Sequence, residues 1–551
     1  MKIAIAQNNY HIGNFTANLS KITADINTAR ENGCDLIIFS ELAVCGYPPL
    51  DLLEQERFIT ECERTVHTIA GYTKGIGVLV GSPTVNPQST GKKLHNSACF
   101  IFNGQVRDVF HKTLLPTYDI FDEYRHFEPN TSFRLLDFQG VKIAVTICED
   151  LWYDQPVLSN FASKRLYVID PVAELTKLNP DLIVNLSASP FAHNRIEDRI
   201  RIITGCASTN RLPVIFVNQV GAQTELIFDG GSLVLNNSGK VIHELESFRE
   251  DRHILDLEEL NNGGRAIGCY NQAKEVEYVF RALAMGVNDY FSKSGFLKAV
   301  VGLSGGIDSA VTLVVAAEAL GHRNVHALLL PSQYSSEHSI SDSEELCRKI
   351  GCTYDIIPIR GLFDTFRKIL KPVFKDCPED ITEENIQSRI RGVLLMAYSN
   401  KFGHILLNTS NKSEAAVGYG TLYGDMTGGL SVLGDVYKTL VYKLAEHINR
   451  NGEVIPGNIL GKPPSAELKP DQKDTDSLPG YDLLDPILYA YIEQQQDADS
   501  IITAGHDPDI VRRVIRLVNQ NEYKRYQTPP ILRVSSKAFG AGRRMPLVAK
   551  Y

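Results

Sequence analysis

The sequence predicts two α/β domains in one chain: helix-covered sheets in the first half and a doubly wound parallel sheet in the second. Three observations carry that expectation. The 551 residues exceed what one core fills and suit two domains of roughly 250 to 280 residues each. Short β-branched runs recur through the first half, with helix-compatible stretches between some of them. A strand, a glycine turn, a helix and another strand follow one another where the second half begins.

In order, the first-half strands are KIAIA (2–6), DLIIF (35–39), GVLVG (77–81), KIAVTI (142–147), DLIVNL (181–186) and PVIFVN (213–218), with helices expected over 17–32 and 194–209. The glycine- and asparagine-rich NNGGRAIGCYNQAK (261–274) interrupts the pattern before a helical stretch, which sets domains at 1–265 and 266–551. The second domain opens with LKAVVGL (297–303), a turn, the helix-like SAVTLVVAAEALG (309–321) and VHALLLP (325–331), one β-turn-α-β unit. The proline- and charge-rich 461–482 segment is expected to be a mobile loop.

The composition, 43% hydrophobic and 22% charged, is that of an ordinary globular protein. A net charge of −9 disfavours nucleic acid as a partner while leaving room for a local basic pocket. MKIAIAQNNYHIGNF reads as a first strand, not a signal peptide. No run reaches the ~20 apolar residues that span a bilayer. The expectation is a cytoplasmic protein. The ten cysteines show neither a CxxC pair nor zinc-type spacing.

Glu41, Lys112 and Cys148 each follow a strand-like run, and strand ends are where distant side chains converge in layered α/β folds. The trio suits thiol attack on an amide: the carboxylate takes the thiol proton, and the ammonium stabilises the oxyanion. A loop acid, a solvated lysine and a core thiol are the bland alternatives. In the second half VVGLSGGIDSAV (300–311) lies between strand and helix, where backbone N–H groups can reach an anion. It lacks the GK[ST] ending of Walker A and the GxGxxG spacing. Ser304, Gly305, Gly306 and Ser309 can donate to phosphate, whereas Asp308 cannot and needs a cation such as Mg²⁺ beside the anion.

SELAVCGYPPLD (40–51), HKTLLPTYDIFDEYRHF (111–127) and ICEDLW (147–152) closely resemble the three motifs of the nitrilase superfamily, in the version carried by glutamine-dependent NAD synthetases. That resemblance implies a four-layer αββα nitrilase-like sandwich, Cys148 as nucleophile, Glu41 as base and Lys112 as transition-state stabiliser. It further implies Tyr118, Trp152, Ser189 and Arg195 around glutamine, Arg195 being suited to a bidentate hold on the α-carboxylate. Glu123 is a candidate second carboxylate.

SGGIDS resembles the PP-loop ATP pyrophosphatase signature. ENIQSRIRG (384–392), LLNTSNKSEAAVGYGTLYGDM (406–426), VYK (436–438), KPPSAEL (462–468) and NEYKR (521–525) then fall in the order seen in NAD synthetases. The implied fold is a Rossmann-like doubly wound parallel sheet of the adenine nucleotide alpha hydrolase type. The implied roles are Arg391 and Thr409 at ATP, Glu414 as a second Mg²⁺ ligand, and Asp425 and Lys438 at the dinucleotide or reaction centre. Ser465 would meet phosphate and metal, and Lys524 and Arg525 would supply late positive charge. Small ammonia-dependent members often carry threonine where Ser465 stands, and a hydroxyl is kept. Tyr334 and Ser335 resemble a segment expected to move over ATP.

The family implies glutamine, ATP and nicotinic acid adenine dinucleotide as substrates and a homodimer or larger assembly through the synthetase domain. Other glutamine-fed PP-loop ligases, a tRNA-modifying adenylase and a non-catalytic nucleotide sensor are the competing readings.

Overall fold

The computed structural model describes residues 1–154, 165–261, 274–470 and 472–549. It divides into two compact units, Met1–Gln272 and Ala273–Tyr551. The boundary expected at 265/266 and Cys269 lie outside the described residues.

The first unit holds two six-stranded sheets. One runs β14-β1-β2-β3-β4-β5, from β1 (Lys2–Gln7), β2 (Leu36–Ile38), β3 (Gly77–Val85), β4 (Leu94–Phe102), β5 (Gln105–His111) and β14 (Asp251–Asp256). The other runs β13-β12-β9-β8-β7-β6, from β6 (Leu136–Phe138), β7 (Val141–Ile147), β8 (Leu182–Ser187), β9 (Val214–Asn218), β12 (Leu233–Leu235) and β13 (Val241–Glu244). A short hairpin joins β10 (Val220–Gln223) to β11 (Leu226–Asp229).

Successive strand residues point to opposite faces, so one run feeds two cores. Ile3, Ile5, Leu36 and Ile38 meet Ile143, Val145, Val184 and Ile215 between the sheets. Ala4, Ala6, Ile37 and Phe39 face outward against Ile22 and Ile26 of helix Phe15–Glu31 and Val66 and Ile69 of helix Glu56–Ala70. Across the second sheet, Ala144, Ile183 and Phe216 pack against Ile203 and Ala207 of helix Ile196–Asn210. The layers are therefore αββα.

The second unit is built on a fully parallel sheet, β17-β16-β15-β18-β19. Its strands are β15 (Ala299–Gly302), β16 (Val325–Leu329), β17 (Thr353–Ile356), β18 (Ile405–Asn408) and β19 (Leu430–Ser431). The chain moves outward from β15 through β16 to β17, then returns to the other side of β15. That reversal makes a crevice beyond the carboxyl ends of β15 and β18, where doubly wound sheets bind ligands. Helix Ile307–Leu320 starts at Ile307, two residues earlier than the apolar run indicates, because Gly306 is already its N-cap.

The described part of the 461–482 segment is mostly irregular, with a 3-10 turn at Asp474–Asp476 and a helix from Tyr481, but it is tied down: Leu468, Asp474 and Leu478 are buried and Asp474 N donates to Pro464 O at 3.0 Å. Among the described residues no helix is long and apolar enough to cross a membrane.

Candidate functional site

Each reactive candidate of the first unit follows the carboxyl end of a strand. Glu41 comes after β2, Lys112 directly after β5, Cys148 directly after β7, and Ser189 two residues after β8. The two sheets thus converge on one buried centre. Lys112 Nζ donates to Glu41 Oε1 and to Glu123 Oε1, both at 2.8 Å. Asn96 Nδ2 donates to Glu41 Oε1 at 2.7 Å, and Ala188 N to Glu41 Oε2 at 3.0 Å. Tyr47 OH donates to Glu123 Oε1 at 2.8 Å. The Glu41 carboxylate is therefore fixed from three directions, by two strands and by the chain just before Ser189.

Cys148 is 6% exposed and adopts φ 42°, a left-handed conformation uncommon for a side chain of this kind. Its thiol is pushed well above the usual range, first by burial and then by the Glu41 carboxylate, with the Lys112 ammonium opposing. At rest the sulfur carries its proton, so attack on a carbonyl needs a base, and Glu41 is the carboxylate that acts most strongly on it. Lys112 stays charged: burial opposes this, but Glu123 and Glu41 together hold its ammonium well above the ordinary value. Glu123, whose burial outweighs the pull of Lys112, is raised to about 7.

The residues expected around glutamine are distributed as follows. Tyr118 OH donates to Glu149 Oε1 at 2.8 Å, beside the Cys148 turn, where Tyr167 OH donates to the same oxygen at 2.7 Å. Burial raises Glu149 to about 7. Ser189 is held by Asn218, which accepts from Ser189 N at 2.8 Å. Arg195 is the residue before helix Ile196–Asn210, and its buried Nε meets no hydrogen-bond partner among the described residues. Trp152 instead packs partly against Leu151, Val172 and Leu175 in the helix layer.

In the second unit a cavity of about 270 Å³ lies at the switch point. Ser304, Gly306, Asp308, Ser309, Arg391, Thr409, Glu414, Asp425, Lys438 and Ser465 line it, together with Ser335. Gly305, between Ser304 and Gly306, has φ 78°, and a Cβ there would lie 2.6 Å from Ser339 O. Only glycine fits, and the loop presses on helix Glu337–Ile350 as a result. Ser304 Oγ accepts from Gly306 N at 3.2 Å and Ser309 Oγ donates to Gly306 O at 2.9 Å, which sets the turn.

Asp308 accepts from Asn411 Nδ2 at 2.9 Å and from Lys438 Nζ at 2.5 Å; the same ammonium lies 3.5 Å from Glu414. Burial, then proximity to Asp308, raises Glu414 to about 8. Two acids forced together around one cation form a donor set that suits a divalent metal. Arg391 donates from Nε to Leu330 O at 3.0 Å, and burial pulls its guanidinium down to about 10. Asp425 is held by Thr421 N at 2.6 Å and Ser388 Oγ at 3.2 Å.

Lys524 and Arg525 do not line the cavity. Lys524 Nζ donates to Gly418 O and Gly420 O at 2.7 and 2.8 Å. Arg525 is buried, paired with Glu522 and bonded to Ala416 O. Both act on backbone carbonyls, Arg525 buried and Lys524 half-buried. Tyr334 N caps Ser332 Oγ at 3.2 Å.

Sequence reasoning missed Asn96, Asn411 and Asp474. Asn411 stands in the NTSNKSE run beside Glu414, so its place next to a carboxylate ligand set was a usable signal. Asn96 gave none, because it lies inside β4, 55 residues from its partner.

The carbon-nitrogen hydrolase family model matches residues 2–258, and the NAD synthase model residues 279–528. The glutamine-dependent NAD(+) synthetase of Synechocystis sp. is 45% identical over 100% of this chain and 99% of its own. That of Acinetobacter baylyi is 41% identical over 99% of this chain and 98% of its own. The solved glutamine-dependent NAD+ synthetase of Acinetobacter baumannii, in complex with ADP, superposes with a TM-score of 0.77 at 39% identity, covering 99% of this chain and 98% of that one. Likeness of this extent, running through both halves, places the chain in the family of glutamine-dependent NAD(+) synthetases.

Proposed function

We propose that this family member divides one synthesis between its two units: the first releases ammonia from glutamine, and the second spends ATP to amidate nicotinic acid adenine dinucleotide, giving NAD, AMP and pyrophosphate. The observation that carries the reading is the Cys148, Glu41 and Lys112 centre in a chain that also holds the SGGIDS cavity. In the first unit Cys148 Sγ attacks the side-chain amide carbon as Glu41 takes the thiol proton and Lys112 steadies the oxyanion. The C–N bond breaks, the proton passes to the leaving nitrogen, and water then cleaves the thioester. Tyr118, Ser189 and Arg195 hold the amino acid, with Trp152 lending support from behind the turn.

In the second unit a dinucleotide carboxylate oxygen attacks the α-phosphorus of ATP. Ser304, Gly305, Gly306 and Ser309 receive the departing pyrophosphate, with Arg391 and Thr409 on the nucleotide. Mg²⁺ on Asp308 and Glu414, with the Ser465 hydroxyl close by, would neutralise the polyphosphate. Asp425 and Lys438 stand at the reaction centre, and ammonia displaces AMP there. Lys524 and Arg525 serve the site by anchoring its 415–420 backbone. The domain limits are 1–265 and 266–551.

We place the enzyme in the cytoplasm as a homodimer or larger assembly through the synthetase unit. Leu362, Phe366, Ile369 and Val373, exposed along helix Arg360–Phe374, support that assembly. The test is incubation with the dinucleotide, Mg-ATP and either glutamine or ammonium. NAD and AMP in equal amounts are expected from both donors; AMP without NAD would overturn the reading.

A further inference from the structure

One carboxylate in the first unit joins the two strand ends that matter most. Asp150 is the third residue of the short 3-10 turn Cys148–Leu151 and is 2% exposed. Its Oδ1 accepts from Thr113 N at 2.9 Å and from Leu114 N at 2.8 Å. Those are the two amides immediately after Lys112. Its Oδ2 accepts from Ile147 N at 3.0 Å, the amide immediately before Cys148. No direct strand pairing links β5 to β7, since they belong to different sheets.

We propose that Asp150 is a positioning residue that sets the distance between the Lys112 ammonium and the Cys148 sulfur by clamping the chain on either side of both. The inference rests on the assignment of Cys148 and Lys112 as reacting groups.

The physical case has three parts. A carboxylate that accepts three backbone N–H groups is a charge-assisted hub, stronger than a set of neutral pairs. The amides it binds belong to the residues flanking Lys112 and Cys148, so rotation of the Asp150 side chain moves both. Cys148 itself sits at φ 42°, a conformation that surrounding structure must enforce. Asn185 Nδ2, 3.4 Å from Cys148 O, holds the other side of that turn.

A substitution that keeps size but removes one accepting face separates this role from bulk packing. In Asp150→Asn the amide nitrogen cannot accept, so either Ile147 N or the Thr113 and Leu114 pair loses its partner. A displacement of about 1 Å at a reacting pair costs on the order of a hundredfold in rate.

The experiment uses the full chain with glutamine hydrolysis, iodoacetamide capture of Cys148 and ammonium-driven synthesis measured on the same preparations. For Asp150→Asn we expect kcat for glutamine to fall about a hundredfold with KM within about threefold, slower alkylation of Cys148, and unchanged ammonium-driven synthesis. A uniform rise in KM with kcat kept, or wild-type alkylation and kcat, would overturn the positioning role. Should Asp150→Asn fail to fold, Asp150→Glu keeps the charge but displaces the clamp; a wild-type kcat in that variant would equally overturn it. Cys148→Ala is run alongside: if it still hydrolyses glutamine, the nucleophile assignment fails, whereas a dead Cys148→Ala beside a fully active Asp150→Asn fails the clamp alone.

Discussion

The two candidate sites both sit at carboxyl ends of strands, yet they are made in opposite ways. In the first unit the chemistry we propose rests on side chains that are almost wholly enclosed and already paired: Lys112 bridges two carboxylates and Glu41 is held by Asn96 and Ala188 N. In the second unit the chemistry faces an open cavity of about 270 Å³, and much of the donor set is backbone at the start of a helix. A thiol attacking an amide needs a few atoms fixed to fractions of an ångström. A polyphosphate offers many oxygens and is met by a curved loop of N–H groups. The difference predicts that the first site fails through loss of any one side chain, and the second through loss of its charge balance or of its loop shape.

The largest effects should break the comparison cleanly. Cys148→Ala is expected to abolish glutamine-driven synthesis and leave ammonium-driven synthesis intact, read as NAD formed from each donor. Asp308→Ala should abolish both; surviving ammonium-driven synthesis would remove Asp308 from the metal and nucleotide set.

A smaller but still severe effect is expected from Lys412→Met. Lys412 is fully buried between Asp435 at 2.9 Å and Glu493 at 2.7 Å, and it also donates to Ser535 Oγ at 2.8 Å. Removing it leaves two buried carboxylates without their counter-charge, a loss of about 3–5 kcal/mol that denaturant unfolding of the synthetase unit would measure. Gly305→Ala should be milder. Its Cβ would press on Ser339 at φ 78°, which predicts a weaker grip on ATP, read as a raised KM for ATP with the glutaminase rate unchanged.

The smallest effect concerns pH. Burial raises Glu123 and Glu149 to about 7 and Asp150 to about 6. Carboxyls held above their unfolded values bind protons in the folded chain that the unfolded chain has already released. Stability is therefore gained on lowering pH through 7 and lost as pH rises through it. The expected result is a first unit that melts higher at pH 6 than at pH 8, by less than the carboxyls alone would give because burial lowers His111 and His253 to about 4, while glutamine hydrolysis declines below pH about 6 as the Asp150 carboxylate takes a proton. Melting curves and rates that fall together would refute it.

What could be read from the sequence follows the same division. Glu41, Lys112, Cys148 and the SGGIDS loop were legible because each directly follows an apolar run of strand period, and because a glycine turn before a helix has few uses. Strands β1, β2, β3, β5, β7, β8, β9, β15 and β16 were legible for the same reason, whereas β4 and β18, central as they are, were not. The hairpin of β10 and β11 and the edge strands β13 and β14 were not, because their runs are short and mixed in character. The Asp150 clamp was hidden because two of its three partners lie 36 and 37 residues away, in the chain just after β5 of the other sheet. Arg525 shows the reverse failure: a basic residue near the end of a motif reads as a ligand contact until the carbonyls it serves are in place. The 461–482 segment was rightly irregular, but no local rule announces that Asp474 will be buried.

The Lys412 cluster also sets an order of completion. Asp435 accepts from Val534 N and Ser535 N at 2.8 and 2.7 Å, and Ser536 Oγ donates to Glu493 at 2.6 Å. The stretch 534–537 is thus sewn beneath the helix that begins with Lys412 and presents Glu414 to the cavity. The first unit closes much earlier, when β14 pairs with β1 over Lys2 to Asp256. In the order of the chain, every strand of the first unit is made by Asp256, whereas the Lys412 cluster of the second unit waits for residues 534–537.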